Sequence, residues 1–263
     1  MKHNLARRIA VGALSVGTVA GVVTMGPGAA FAASTPGATT PGATTAGGTT
    51  PSSPVSNPFC TPSGFSSAQQ LVEADLTARV TQLNALAGAA GNTANHLTTG
   101  DRQTLQNDIT TVELPGIQAL QTQAQQASTC AGLRVVAHSM VYNYRVYLVM
   151  TPQTHLTIVI DDETYVEGVF VNLEPQIATA IANAQSAGKD VTAAQAAFAD
   201  LKSQVTSAQG DTTGQSASLL AQTPQGYPGN WPVFLGARTN ATNAHSDLRA
   251  AYADLQKIKT DLQ

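Results

Sequence analysis

The apolar residues between 132 and 187 recur every three or four positions, and that period restricts the fold more than any other feature of the chain. Leu133, Val136, Met140, Tyr144, Tyr147 and Met150 keep it, and after Pro152 so do Leu156, Val159, Val166, Phe170, Leu173, Ile177 and Ile181. Such spacing puts them on one side of a helix, whereas a strand changes face at every residue. Propensity argues the other way, because Val146–Met150 and Leu156–Ile160 are rich in β-branched residues. A strand through 165–173 would, however, place Tyr165 and Glu167 on the same face as Val169 and Val171, a poor alternation. The long period prevails, and the segment is expected to be helical with kinks or breaks at Pro152 and Pro175. Its buried residues should be Leu133, Val136, Met140, Tyr147, Val159, Val166 and Phe170, with Thr157, Asp161, Thr164 and Asn172 on a wetter face. Since both faces of 133–150 are largely apolar, this stretch is expected to be the buried central helix.

The flanking segments repeat the pattern. Val72, Leu76, Val80, Leu83 and Leu86 form one stripe, which Ser66 or Ser67 can cap and Gly88–Asn92 ends. Thr98 can cap a second helix with Asp101 in its first turn, Leu105, Ile109 and Val112 as its stripe, and an interruption at Pro115-Gly116. Ile117, Leu120 and Ala124 resume it toward Cys130. Val191, Ala194, Phe198, Leu201 and Val205 define a later helix, a short one lies near 215–222, and a turn-rich loop around Pro224, Pro228 and Trp231 follows. A last helix from Pro232 carries Leu248, Ala251/Tyr252, Leu255, Ile258 and Leu262. The fold class expected is all-α, an elongated multi-helix bundle with coiled-coil-like pairs. Aromatic residues are only 5% and charged residues 11% of the chain, so small side chains must do much of the packing.

Ahead of the helices stands an address. Lys2, Arg7 and Arg8 precede an apolar run, 9–25, that closes on Ala30-Phe31-Ala32, the pattern of a secretory signal peptide occupying 1–32. The run is diluted by Gly12, Gly17 and Gly21 and is short for a membrane anchor. Residues 33–58 carry no charge and repeat Thr-Pro-Gly-Ala-Thr, a composition that reads as a disordered linker. The helical-bundle domain then occupies 59–263. No lipobox precedes Cys60, and the C-terminal residues show no sorting motif. The localisation expected is secreted or extracellular, with association to the cell wall as one form of it.

Charge and cysteine content narrow the function. Without Lys2, Arg7 and Arg8 the 13 basic residues fall to 10 against 16 acidic ones, a net charge of −6. With no basic cluster after Arg8, nucleic acid is not an expected partner, nor is stable membrane insertion after leader removal. The only cysteines, Cys60 and Cys130, both lie in the exported part and are expected to form a disulfide closing a loop of about 70 residues. No Cys-x-x-Cys, Gly-x-Ser-x-Gly, His-Glu-x-x-His, P-loop or dinucleotide fingerprint is present, so no catalytic residue, metal ligand or cofactor is assigned.

One group of side chains stands out. His138, Met140, Tyr142, Tyr144, Arg145, Tyr147, Met150 and His155 crowd a short stretch. His138, Tyr142, Tyr144 and Arg145 are the candidates for binding haem or another flat apolar ligand, the carrier or enzyme alternative to a purely structural role. On one helix 138, 142 and 145 share a face, and the simpler expectation is that they form a polar network there while Met140, Tyr144 and Tyr147 belong to the core. The acidic stretch Asp161, Asp162, Glu163, Glu167 and Glu174 is expected to be a solvated face, paired with Arg134 or Arg145.

With Tyr144-Arg145-Val146-Tyr147, Pro152, His155-Leu156, and the late Asp247-Leu248 and Asp254-Leu255, the segment 68–263 resembles the uncharacterised secreted, mostly helical proteins of high-GC Gram-positive bacteria. That resemblance implies an all-helical fold in a cell-envelope setting and no activity. The function expected is that of a non-catalytic exported bundle acting by surface contact in the envelope or outside the cell. Its partner and oligomeric state are left open.

Overall fold

In the computed structural model, residues 60–263 are described; the leader (1–32) and linker (33–58) read from sequence lie outside the described residues. Among the described residues there are helices and no strand. The principal helices are α1 (Phe65–Gly91), α2 (Thr99–Asn107), α3 (Leu114–Gln126), α4 (Cys130–Ser139), α5 (Thr151–Ser186), α6 (Thr192–Thr212), α7 (Gln215–Leu220) and α8 (Trp231–Asp261). The period rather than the β propensity decided 132–187.

Local chemistry explains several ends. The Thr98 hydroxyl accepts the Asp101 N–H at 3.1 Å, the expected cap of α2. Thr129 does the same for α4 through Gly132 N–H. At the start of α1, Thr61 rather than Ser66 or Ser67 supplies the cap, closing the short turn Pro62–Gly64 that leads into the helix.

The prolines act differently from expectation. Pro115 and Pro152 do not stop their helices; each sits near the start of an α-helix that follows a π-helical turn. These turns span Asp108–Glu113 and Val146–Met150, with Leu114 N–H bonded back to Ile109 C=O and Thr151 N–H to Val146 C=O. Proline has no N–H and its ring crowds the carbonyl four residues back, so widening the preceding turn relieves both problems. Pro175 lies inside α5. The break in 132–187 is at Arg145 instead, with φ 43° and ψ 42°.

Two apolar cores flank the middle of α5. In the first, Leu76, Leu83 and Leu86 of α1 meet Ile117 and Leu120 of α3, Leu133 and Val136 of α4, and Met140, Val146 and Met150. The second joins Phe170, Ile177 and Ile181 of α5 to Leu201 and Val205 of α6 and to Leu248 and Ile258 of α8. Between them Ile160 packs with Val149, Leu219 and Phe234. Along α8 the inward residues are Phe234, Ala237, Ala241, Ala244, Leu248, Ala251 and, half-buried, Leu255, then Ile258. These alternate in steps of three and four, the heptad spacing of a coiled coil. Ala194, Ala197 and Ala208 of α6 face Ala244 and Ala251 in the same core, and small side chains there permit close helix approach.

The expected core is partly corrected. Leu133, Val136, Met140 and Phe170 are buried, but Tyr147 is 44% exposed and Val159 and Val166 are only half-buried. Arg145 and its flanking π turns shift the register after Met140, which rotates Tyr147 outward. The stretch 133–150 is not a buried central helix, because Val135, Val141 and Tyr142 face solvent. Thr164 and Asn172 are exposed as expected, whereas Thr157 and Asp161 are buried.

Tyr144 turns inward against Gly116 in the first core, so closely that a Cβ at 116 would overlap the phenol ring. Gly116→Ala is therefore expected to lower stability by about 1–3 kcal/mol through overpacking. Denaturant unfolding checks it; in a Tyr144→Ala background, where the clash is gone, the same alanine should be neutral or stabilise by up to about 1 kcal/mol, since alanine exceeds glycine in helix propensity.

Candidate functional site

Among the four sequence candidates, the structure brings three together. His138 stacks on Tyr142 with ring centroids 4.3 Å apart and planes inclined by 20°. The Arg145 guanidinium lies 5.1 Å from the Tyr142 ring centroid and 4.7 Å from that of Tyr227, so the cation is held between two phenols. Tyr227 in turn meets Trp231 edge-on at 6.4 Å. Tyr144 is not part of this group, being packed inward against Gly116. Met140 and Met150 belong to the first core, and Tyr147 stands apart under Arg79 at 5.1 Å.

This corner is built by backbone as much as by side chains. Left-handed backbone costs a residue with a Cβ about 1–2 kcal/mol, and arginine occupies such a position only when its surroundings enforce it. Here Arg145 C=O accepts the N–H groups of Leu148 and Val149 at 3.0 and 2.9 Å, opening the helical run that follows. The loop between α7 and α8 is tied on by Gln225, whose side-chain amide donates to Asn143 C=O at 3.1 Å. Asn230, buried, donates to Thr223 C=O at 2.9 Å and keeps that loop folded. Cation–π contacts of this sort contribute about 0.5–2 kcal/mol each, enough to offset the backbone strain.

The candidate carrier geometry requires a walled pocket, and the corner is an exposed ridge: Tyr142 is 51% exposed. Elsewhere, a shallow depression beside Leu235, Arg238, Thr239, Thr242 and Asn243 takes all its walls from α8, so it cannot enclose a ligand. Among the described residues, no group of three or more His, Cys, Asp or Glu side chains is placed to hold a metal ion.

The acidic stretch of α5 is the largest correction. Instead of forming a solvated face, Asp161, Glu163 and Glu167 are buried, each linked to a different element. Asp161 accepts the Thr98 N–H at 2.9 Å and the Ser216 hydroxyl at 2.6 Å. Glu163 lies 2.9 Å from His245 Nδ1 on α8, and Glu167 accepts the Thr212 hydroxyl at 2.9 Å. Asp162, at the rim, accepts the His96 N–H at 2.7 Å, and His96 stacks on Tyr165. Burial pushes all three buried carboxyls above their ordinary range; these hydrogen bonds oppose it, while Asp101 near Asp161 and Asp211 near Glu167 add to it. Every one of the three has a structural partner, and the group works as a polar layer that joins α2, α6, α7 and α8 to α5.

Cys60 and Cys130 are disulfide-bonded, at a sequence separation of 70. The bond ties the first described residue to the first turn of α4. No helix among the described residues is long and apolar enough to cross a membrane. No protein-family model, curated protein or solved structure matches this chain.

Sequence reasoning missed Tyr227 and Trp231 as members of the corner, because they arrive from the α7–α8 loop and the start of α8, some eighty positions away. A signal was nonetheless present. No Asp or Glu occurs between Glu113 and Asp161, or between Asp211 and Asp247, in a chain with 16 acidic residues, and these two stretches are the ones that build the corner.

Proposed function

We propose that this protein is an exported, non-catalytic helical domain on a Thr/Pro/Gly tether, acting by surface contact in the cell envelope or outside the cell. The observation that carries the reading is the Arg145 corner, a strained arginine clamped between Tyr142 and Tyr227 on an exposed ridge. Strained backbone concentrates at sites of binding, and exposed aromatic and arginine side chains are the residues that dominate contact surfaces. The disulfide supports export, since such bonds persist in oxidising compartments. The likeness to secreted helical proteins of high-GC Gram-positive bacteria points to the same setting.

Fractionation of the native host tests the reading. The expected product is a chain beginning after Ala32, found in the medium or wall fraction with both cysteines oxidised. Recovery of the full-length chain from the cytosol alone, with free thiols, would end it.

A further inference from the structure

We propose that the ridge formed by Arg134, His138, Tyr142, Arg145 and Tyr227 is a docking surface for an acidic peptide segment, whose carboxylates bind the edge of the Arg145 guanidinium. The inference rests on the surface-contact reading above and names its partner.

The charge pattern comes first. Arg145 has no carboxylate within ion-pair distance among the described residues, where the ion pairs are Arg79–Asp75, His96–Asp162 and His245–Glu163. The segments that surround it lack acidic residues altogether, although the exported chain is acidic as a whole. Arg134 lies one helical turn before His138 on the exposed side of α4, so cationic and imidazole groups line the ridge. A local basic surface on an acidic molecule selects anions there and repels them elsewhere.

Geometry comes second. The guanidinium carbon lies over the rings of both Tyr142 and Tyr227, and its Nε is buried without a hydrogen-bond partner. No side-chain hydrogen bond or ion pair engages the Arg145 guanidinium among the described residues, which leaves its terminal N–H groups uncommitted, and these are the part of arginine that matches a planar carboxylate in a two-bond fork. The clamp also removes side-chain freedom in advance, so less entropy is lost on binding. A sugar polymer is the weaker match, because sugars dock on free aromatic faces and the faces here are taken by His138 and Arg145.

The test uses the purified mature chain at low ionic strength, where exposed charges are least screened. The sole tryptophan, Trp231, touches Tyr227 and reports on the ridge. A Glu-rich decapeptide is expected to give a saturable change in Trp231 fluorescence that weakens with salt, and its Gln counterpart none. Arg145→Gly suits the left-handed backbone, so it should fold while binding falls by about tenfold or more, in line with loss of a charge-assisted fork. Should that variant fail to fold, Arg134→Gln on the exposed side of α4 decides, with binding expected to weaken by about two- to fivefold. Arg249→Gln, about 27 Å along α8 from Trp231, should bind as the parent does. Equal binding of the Gln peptide, no binding of the Glu peptide, or undiminished binding by the folded ridge variants would overturn the proposal. Binding of polygalacturonate without binding of the peptide would overturn it too, in favour of an acidic polysaccharide. Export is read separately by fractionation, so either proposal can fail alone.

Discussion

Replacing Glu113 with glutamine is expected to stabilise the domain at neutral and alkaline pH and to leave it unchanged in acid. Glu113 closes the π-helical turn before α3, is only 5% exposed, and has one carboxyl oxygen without a hydrogen-bond partner. Burial, with a further contribution from the charge of Asp108, pushes its carboxyl from 4.5 up to about 8. Between those values the folded chain holds a proton that the unfolded chain has released. Stability is therefore fully present below about pH 4.5 and is lost as pH rises through about 8. The accumulated loss is on the order of 5 kcal/mol, and glutamine, which has no proton to release, avoids it. Melting temperatures of the two proteins should coincide near pH 4 and separate steadily to pH 9. A residual slope should survive in Glu113→Gln, since burial also raises Asp108, Asp161, Glu163 and Glu167. Parallel curves across the range would show that Glu113 is not the group responsible.

Removing the disulfide by Cys60→Ser with Cys130→Ser is expected to have an effect of similar size and opposite sign. The bond closes a loop across a sequence separation of 70, whose restriction of the unfolded chain is worth on the order of 4 kcal/mol. For a domain near 200 residues that corresponds to a fall in melting temperature of about 8–16 °C. Cys60 sits in the first core with Phe65, Ala124 and Leu133, so release should loosen the start of α1 and the join between α3 and α4 first. Hydrogen exchange should rise there before it rises along α6 and α8, which lie outside the closed loop. Uniform exchange throughout the domain would show instead that the two cores unfold as one unit.

How much of this was legible depends on the range of the interaction. The helix stripes, the Thr98 cap and the cysteine pairing follow from spacing and composition, because each is set by neighbours in sequence or by parity. The ridge was half legible: the spacing of His138, Tyr142 and Arg145 grouped them on one side, although the helix breaks at Arg145, while Tyr227 had to be carried in by a loop. Tyr144 was grouped with the ridge for its chemistry, although its place in the stripe of Leu133, Val136 and Met140 already put it on the core side, where it packs against Gly116. The acidic stretch misled for a related reason. Charged side chains are ordinarily solvated, and only the arrival of Thr98, Thr212, Ser216 and His245 from four other segments makes their burial tolerable.

The sequence by itself determined the all-helical class, since a 3.6-residue period sustained over a long segment leaves an apolar face no other way to be buried. It likewise determined that two cysteines and no others were available to close the chain on itself. Tertiary structure alone decided where the long helical segment breaks, which polar groups go inside and which aromatic rings meet Arg145. Those outcomes turn on partners distant in sequence, whose hydrogen bonds and ring contacts offset backbone strain and desolvation only once the helices have packed.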